Sequence, residues 1–143
     1  MTFTNPNEQV IFGYLKEAKR IAVVGMSDKD TRSSFLVARE LQKAGYEIVP
    51  VNPVLAGQKI LGETVYASLS EIPGHIDLVD IFRRSEFLPD LAREFLTIDA
   101  DVFWAQQGIY NDEAAEILIG SGHQKIVMDR CTKVELMRMS WQN

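Results

Sequence analysis

The chain has 143 residues, 46% hydrophobic and 24% charged, with a formal net charge of −5. That size suits one globular domain spanning residues 1–143, and an acidic balance argues against nonspecific binding to nucleic acid or to an anionic membrane, both of which need a basic surface. A single cysteine excludes an internal disulfide, no apolar run reaches membrane-spanning length, and the start of the chain carries Pro6, Asn7 and Glu8 instead of a basic-then-apolar signal, so a reduced, cytoplasmic setting is expected.

Asn5-Pro6-Asn7-Glu8 reads as an N-cap, a proline at the first helical position and a glutamate at the third. Val10, Ile11, Tyr14, Leu15 and Ala18 continue it at helical spacing. A strand follows at 21–25, then a helix from about Ser33 to Ala44, ended by Gly45. Glu47 to Val51 is the second strand, stopped by Pro53. The stretch from Gly57 to Ser70 looks loosely structured, with a short strand at Thr64 to Tyr66. Asp77 to Phe82 is strongly β, and Phe87, Leu88, Leu91, Ala92, Phe95 and Leu96 form the next helical stripe. Asp101 to Ala105 and Lys125 to Met128 are strands, each before a helix, one capped near Asn111 and one starting at Thr132 with Glu135 completing a capping box. Short apolar strands alternating with helices imply an α/β, doubly wound, mostly parallel sheet of about five to six strands with helices on both faces.

In such a sheet ligands bind beyond the carboxyl ends of the strands, near the reversal of strand order. The residues selected are Gly25, Met26 and Ser27, then Asn52 and Pro53, then Arg83 and Arg84, then Gln106 to Gly108, then Asp129 to Cys131. Gly25 allows a sharp turn and close approach to a ligand, Ser27 offers a hydroxyl, and the N–H groups around Ser33 to Phe35 face an anion. Ser33 or Ser34 serves equally as a helix cap, and Arg32 equally as a solvated residue. Two adjacent guanidinium groups at Arg83 and Arg84 need compensation, from a bound anion or internally from Glu86 or Asp80.

The turn holds one glycine, so the G-x-G-x-x-G fingerprint is missing, and Asn52-Pro53 occupies the place where a dinucleotide site has an acid for the ribose. There is no G-x-x-x-x-G-K-[ST] motif either. What remains is an adenine-type ligand that tolerates no carboxylate at its ribose, and coenzyme A, with its 3′-phosphate, is one.

IAVVGMS at 21–27, VPVNP at 49–53, ILGETVYASL at 60–69, DLVDIFRRSE at 77–86, FWAQQGI at 103–109 and VMDRC at 127–131 occur in that order. Together they resemble the small stand-alone CoA-binding proteins of the YccU type, which are related in fold to the CoA-binding domain of the succinyl-CoA synthetase α subunit. The resemblance runs from about Ile11 to Met139. It implies a Rossmann-like CoA-binding domain, with Gly25, Met26, Ser27, Arg32, Ser33 and Ser34 near the pyrophosphate and Asn52 and Pro53 near the adenosine. Phe82, Arg83 and Arg84 would flank the other side of the groove, and Lys59 is the nearest candidate for the 3′-phosphate.

The synthetase reaction needs a phosphohistidine from a separate domain, and no nucleophile, base and orienting acid is recognisable here. His75 and His123 read as solvent-facing loop residues, and no histidine and carboxylate pair suggests a metal. Cys131 is either a small buried hydrophobe or a thiol able to exchange with the CoA thiol into a mixed disulfide. The leading expectation is therefore a non-catalytic CoA or acyl-CoA carrier, sensor or accessory protein. The alternatives are an acyl-CoA-dependent transferase or ligase component, in which Arg83, Arg84 and Gln106 bind an acyl carboxylate or carbonyl, and a NAD(P) or nucleotide-binding regulatory domain. A homodimer or a CoA-enzyme partner fits either way, with Trp141 as weak support for the former.

Overall fold

A computed structural model describes residues 2–142. The elements run α1 (Glu8–Glu17), β1 (Arg20–Val24), α2 (Ser33–Lys43), β2 (Glu47–Val51), β3 (Lys59–Ile60), β4 (Glu63–Thr64), β5 (Ile76–Ile81), α3 (Leu88–Phe95), β6 (Ala100–Ala105), α4 (Asp112–Gly120), β7 (Ile126–Val127) and α5 (Thr132–Trp141). Five strands form one parallel sheet in the order β2-β1-β5-β6-β7, while β3 and β4 pair as a separate antiparallel hairpin. The chain leaves β1 through α2 to β2 on one side, then returns to place β5 on the other. Strand order therefore reverses between β1 and β5.

The five strands of the main sheet are largely apolar on both faces because both faces are covered. Ala22, Val24, Val79, Ile81 and Phe103 pack under α3 and α4, against Leu88, Ala92, Phe95, Ala115 and Leu118. Ile21, Val23, Leu78, Val102 and Trp104 pack on the other side with Leu15, Val37, Ala38 and Leu41 of α1 and α2. A Rossmann-like fold with helices on both faces is thus present, as the alternating pattern required.

Four local readings change. The cap of α1 is Asn7, whose side chain accepts from the Val10 N–H at 3.1 Å. Asn5 instead clamps the end of β7, donating to the Met128 carbonyl at 2.7 Å and accepting its N–H at 2.9 Å. Those two long-range bonds replace the single local one that the capping pattern suggested. At α5, Thr132 is the first helical residue and not the cap, and Glu135 is buried against Arg138 and Arg130, so no capping box forms. The segment near Thr64 belongs to the β3–β4 hairpin, and only Tyr66 bridges the sheet edge, at Val51.

Gly25 ends β1 at φ 83°, and a Cβ there would lie 2.5 Å from the Phe82 carbonyl oxygen. The expected close approach to a ligand is first a close approach to the end of β5. Its N–H, with that of Met26, is held by the Val51 carbonyl at 3.0 and 3.2 Å, so the turn ties β1 to both neighbouring strands. Gly25→Ala places a side chain in the left-handed region, which alone costs about 1–3 kcal/mol, and adds the clash. Urea unfolding should show a loss of at least about 2 kcal/mol; a loss within about 0.5 kcal/mol, typical of a neutral surface change, would show that the turn relaxes freely.

Candidate functional site

Beyond the carboxyl ends of β1, β5 and β6 lies an open cavity of about 1060 Å³. It sits at the reversal of strand order, where ligand sites of doubly wound sheets are found. Of the sequence candidates, Gly25, Ser27, Arg32, Ser33, Ser34, Phe82, Arg83, Arg84, Gln106, Gln107, Gly108 and Cys131 line it together. Six do not: Met26, Asn52, Pro53, Lys59, Asp129 and Arg130. Met26 has its side chain fully buried in the core. Asn52 turns its side chain inward, donating to the Met26 carbonyl at 2.8 Å and accepting from the Val54 N–H at 2.9 Å. Pro53 follows on the exposed loop, and Lys59 stands on the β3 hairpin.

The first turn is organised by its serines. Ser34 is buried, and its Oγ accepts from the Ser27 N–H at 3.0 Å, while Ser27 Oγ accepts from the Lys29 N–H at 3.1 Å. Neither hydroxyl caps α2. The cap position is Arg32, which makes no side-chain cap bond, and the first turn of α2 carries no acidic residue. By contrast α1 and α4 each have an asparagine cap and acids in the first turn. The start of α2 thus keeps its orphan N–H groups and positive dipole end uncompensated, facing the cavity.

The charge around the cavity has one sign. Lys29, Arg32, Arg83, Arg84 and Lys133 line it, and no aspartate or glutamate does, in a chain of net charge −5. Arg84 meets Glu86 at 3.5 Å with both side chains well exposed, a pairing of little energetic weight. Asp80 reaches neither arginine. Arg83 instead lies over the Phe87 ring at 4.6 Å and makes no ion pair among the described residues. The compensation foreseen from within the protein is therefore largely missing. Sequence reading passed over Lys29, Lys133 and Val134, which also line the site. The signal for Lys133 was available, since it follows the first residue of a helix at the sheet's ligand end.

Asp80 sits under the cavity, fully buried on β5, and bonds to neutral groups: Gln106 at 2.6 Å and Thr132 at 2.8 Å. Burial pushes its carboxyl up to about 7, against the opposing effect of those two hydrogen bonds. In the acyl-transferase or ligase alternative, Gln106 joins Arg83 and Arg84 in binding an acyl carboxylate or carbonyl, which calls for a donor, but its amide nitrogen is taken by Asp80 and by Thr132, the latter at 2.8 Å. Cys131 is half-buried on the cavity wall, ahead of Thr132.

His75 is an exposed loop residue, as read from the sequence, but it has carboxylate partners, whereas His123 is half-buried and not solvent-facing. His75 is partnered, Nδ1 to Asp99 at 3.0 Å and Nε2 to Asp101 at 2.9 Å, with Asp77 at 3.5 Å. Hydrogen bonds to Asp101 and Asp99 raise its pKa. His75, Asp77 and Asp101 have ligand atoms within 4.8 Å of one another, so their spacing is compatible with a metal ion. They lie at the amino ends of β5 and β6, opposite the cavity. His123 packs edge-on to Phe95, with ring centroids 4.8 Å apart, and burial lowers its pKa.

The Asp80 shift has a direct consequence for stability. Between about pH 4, where an unfolded aspartate ionises, and about 7, the native chain keeps a proton that the unfolded chain has released. Stability contributed at this site therefore falls as pH rises through that window and levels off above it. The unfolding free energy of the wild type relative to Asp80→Asn should decline across that range. A flat difference would mean that Asp80 ionises normally.

Comparison with known proteins adds an independent line. Residues 19–137 match the family described as CoA binding domain. A Bacillus subtilis (strain 168) protein, the uncharacterized protein YneT, is 51% identical over 130 residues, covering 91% of this chain and 94% of that one. A Thermus thermophilus structure superposes with a TM-score of 0.88 at 36% identity, covering 94% of this chain and 99% of the other. A hypothetical protein from Pyrococcus horikoshii OT3 does so with a TM-score of 0.87 at 31% identity, covering 98% and 99%. The chain therefore belongs to the CoA-binding domain family.

Proposed function

We propose that the cavity at the β1–β5 reversal binds coenzyme A or an acyl-CoA, and that the protein acts as a cytoplasmic, non-catalytic carrier, sensor or accessory protein. The observation that carries this reading is the cationic, acid-free lining beside an uncapped helix start. Backbone N–H groups at the start of α2, with Arg32 and Lys29, would take the pyrophosphate, and Arg83 would close over it from β5. The adenosine would run outward over Asn52 and Pro53 at the end of β2, with Lys59 on the neighbouring hairpin offered to the 3′-phosphate. In support of a binding role, the cavity lining includes neither a histidine nor a carboxylate to serve as general base. No helix among the described residues is long and apolar enough to cross a membrane.

Ligand binding to the native state alone raises the melting temperature. CoA should raise it more than dephospho-CoA, and both more than NAD, ATP or AMP. Stabilisation by NAD or ATP but not by CoA would defeat the proposal. The double variant R83A/R84A should weaken CoA binding by at least about tenfold, as expected for lost charge-assisted bonds, while the free protein melts much as before. Unchanged affinity would make the pair structural.

Cys131 lies on the same wall, and in the CoA reading its thiolate would attack oxidised CoA, forming a protein–CoA disulfide and releasing one CoA thiolate. Intact mass after incubation with oxidised CoA should show a reducible adduct that Cys131→Ser lacks; no adduct on the wild type disproves the exchange.

A further inference from the structure

Gln106 is only 4% exposed, one residue beyond β6, and lines the cavity. Its Nε2 donates to Asp80 Oδ1 at 2.6 Å and to Thr132 Oγ1 at 2.8 Å, and Thr132 Oγ1 donates in turn to Asp80 Oδ2 at 2.8 Å. A side-chain amide nitrogen carries two hydrogens, so both are used. Turning the amide over would set Oε1 against a carboxylate oxygen, acceptor against acceptor. Oε1 has no hydrogen-bond partner among the described residues, which leaves it as the polar atom available to the cavity. The three residues come from β5, the end of β6 and the start of α5, so the arrangement joins the three elements that floor this part of the site.

We propose that Asp80 and Thr132 are positioning residues that lock Gln106 with its Oε1 toward the cavity, making Gln106 a specificity-determining acceptor for a hydrogen-bond donor on the ligand. Resting on the CoA reading, the donor is an amide N–H of the pantetheine arm. The direction follows from the sheet order: β6 lies two strands from β1, about 10 Å across the sheet, so a ligand with its pyrophosphate at the start of α2 brings its arm, and not its phosphates, to Gln106. When Asp80 is protonated on Oδ2, Oδ1 still accepts from the Gln106 amide, and the Asp80–Thr132 bond reverses, with Oδ2 donating to Thr132 Oγ1. A carbonyl oxygen placed at Gln106 meets another acceptor and is rejected. The positioning role also gives a reason for a buried carboxylate with no cationic partner, which otherwise only costs stability.

Calorimetric titration of the full chain tests this with four ligands: CoA, adenosine 3′,5′-bisphosphate, which lacks the pantetheine arm, and two CoA analogues in which one or the other pantetheine amide N–H is replaced by an ester oxygen. Wild type should prefer CoA to at least one ester analogue by about tenfold, the worth of one good hydrogen bond. Gln106→Met, at the cavity surface, should bind CoA and that analogue alike, with affinity for the bisphosphate kept. Asp80→Ala should behave as Gln106→Met does, whereas Asp80→Asn, which retains an acceptor for Nε2, should restore the preference. If Asp80→Ala fails to fold, Gln106→Met decides the matter alone. A Gln106→Met protein that keeps the preference, or that loses CoA and bisphosphate equally, overturns the inference. So does a wild type that binds CoA without distinguishing either ester. Wild type that binds neither CoA nor the bisphosphate overturns the CoA reading itself, and this inference with it.

Discussion

Covering both faces of a parallel sheet leaves the strand ends as the places where polar chemistry can emerge, and this constraint shapes everything else in the molecule. The two apolar cores, one under α3 and α4 and one with α1 and α2, take up every face of the central strands. What remains is a rim, and the reversal of order between β1 and β5 opens that rim into a cavity. Gly25 is the point at which core and rim meet. It is the only residue type that lets β1 turn away while its backbone lies against the carbonyl of Phe82.

The electrostatics of the rim follow from omissions as much as from residues present. An asparagine and acids at the starts of α1 and α4 satisfy those helices internally. At α2 the serine that could cap the helix holds the preceding loop instead, so the helix dipole and free N–H groups add to the field of five cations. A protein of net negative charge has thereby gathered local positive potential in one concave place, which favours an anion there.

Periodicity carried most of the fold. Each main-sheet strand and each helix lies within a few residues of its expected place, because long apolar stripes and alternating elements are signals that packing reinforces. Local capping grammar was less dependable. Asn5 matched a cap pattern but was drawn into a long-range contact with Met128, which sequence spacing does not encode, and Glu135 matched one but forms local ion pairs with Arg130 and with Arg138 one turn on. The same holds at the site. Gly25, Ser27, Arg83 and Gln106 were legible as strand ends and Arg32 as the residue before a helix, whereas no sequence pattern shows the Asn52 side chain turning inward to hold the Met26 carbonyl. Asp80 was visible as an acid inside the apolar run LVDIF. Its partners lie 26 and 52 residues away along the chain, so its role needed three dimensions.

In the CoA reading, the start of α2 and the cations around it hold the phosphates. An amide NMR titration with CoA reads this residue by residue in solution. The account predicts that the largest shifts fall on the N–H groups of residues 25–35 and 82–85, with those around His75 and Asp101 at the opposite end of the sheet unmoved. Saturable binding whose shifts cluster at that opposite end, or spare residues 33–35, would contradict it.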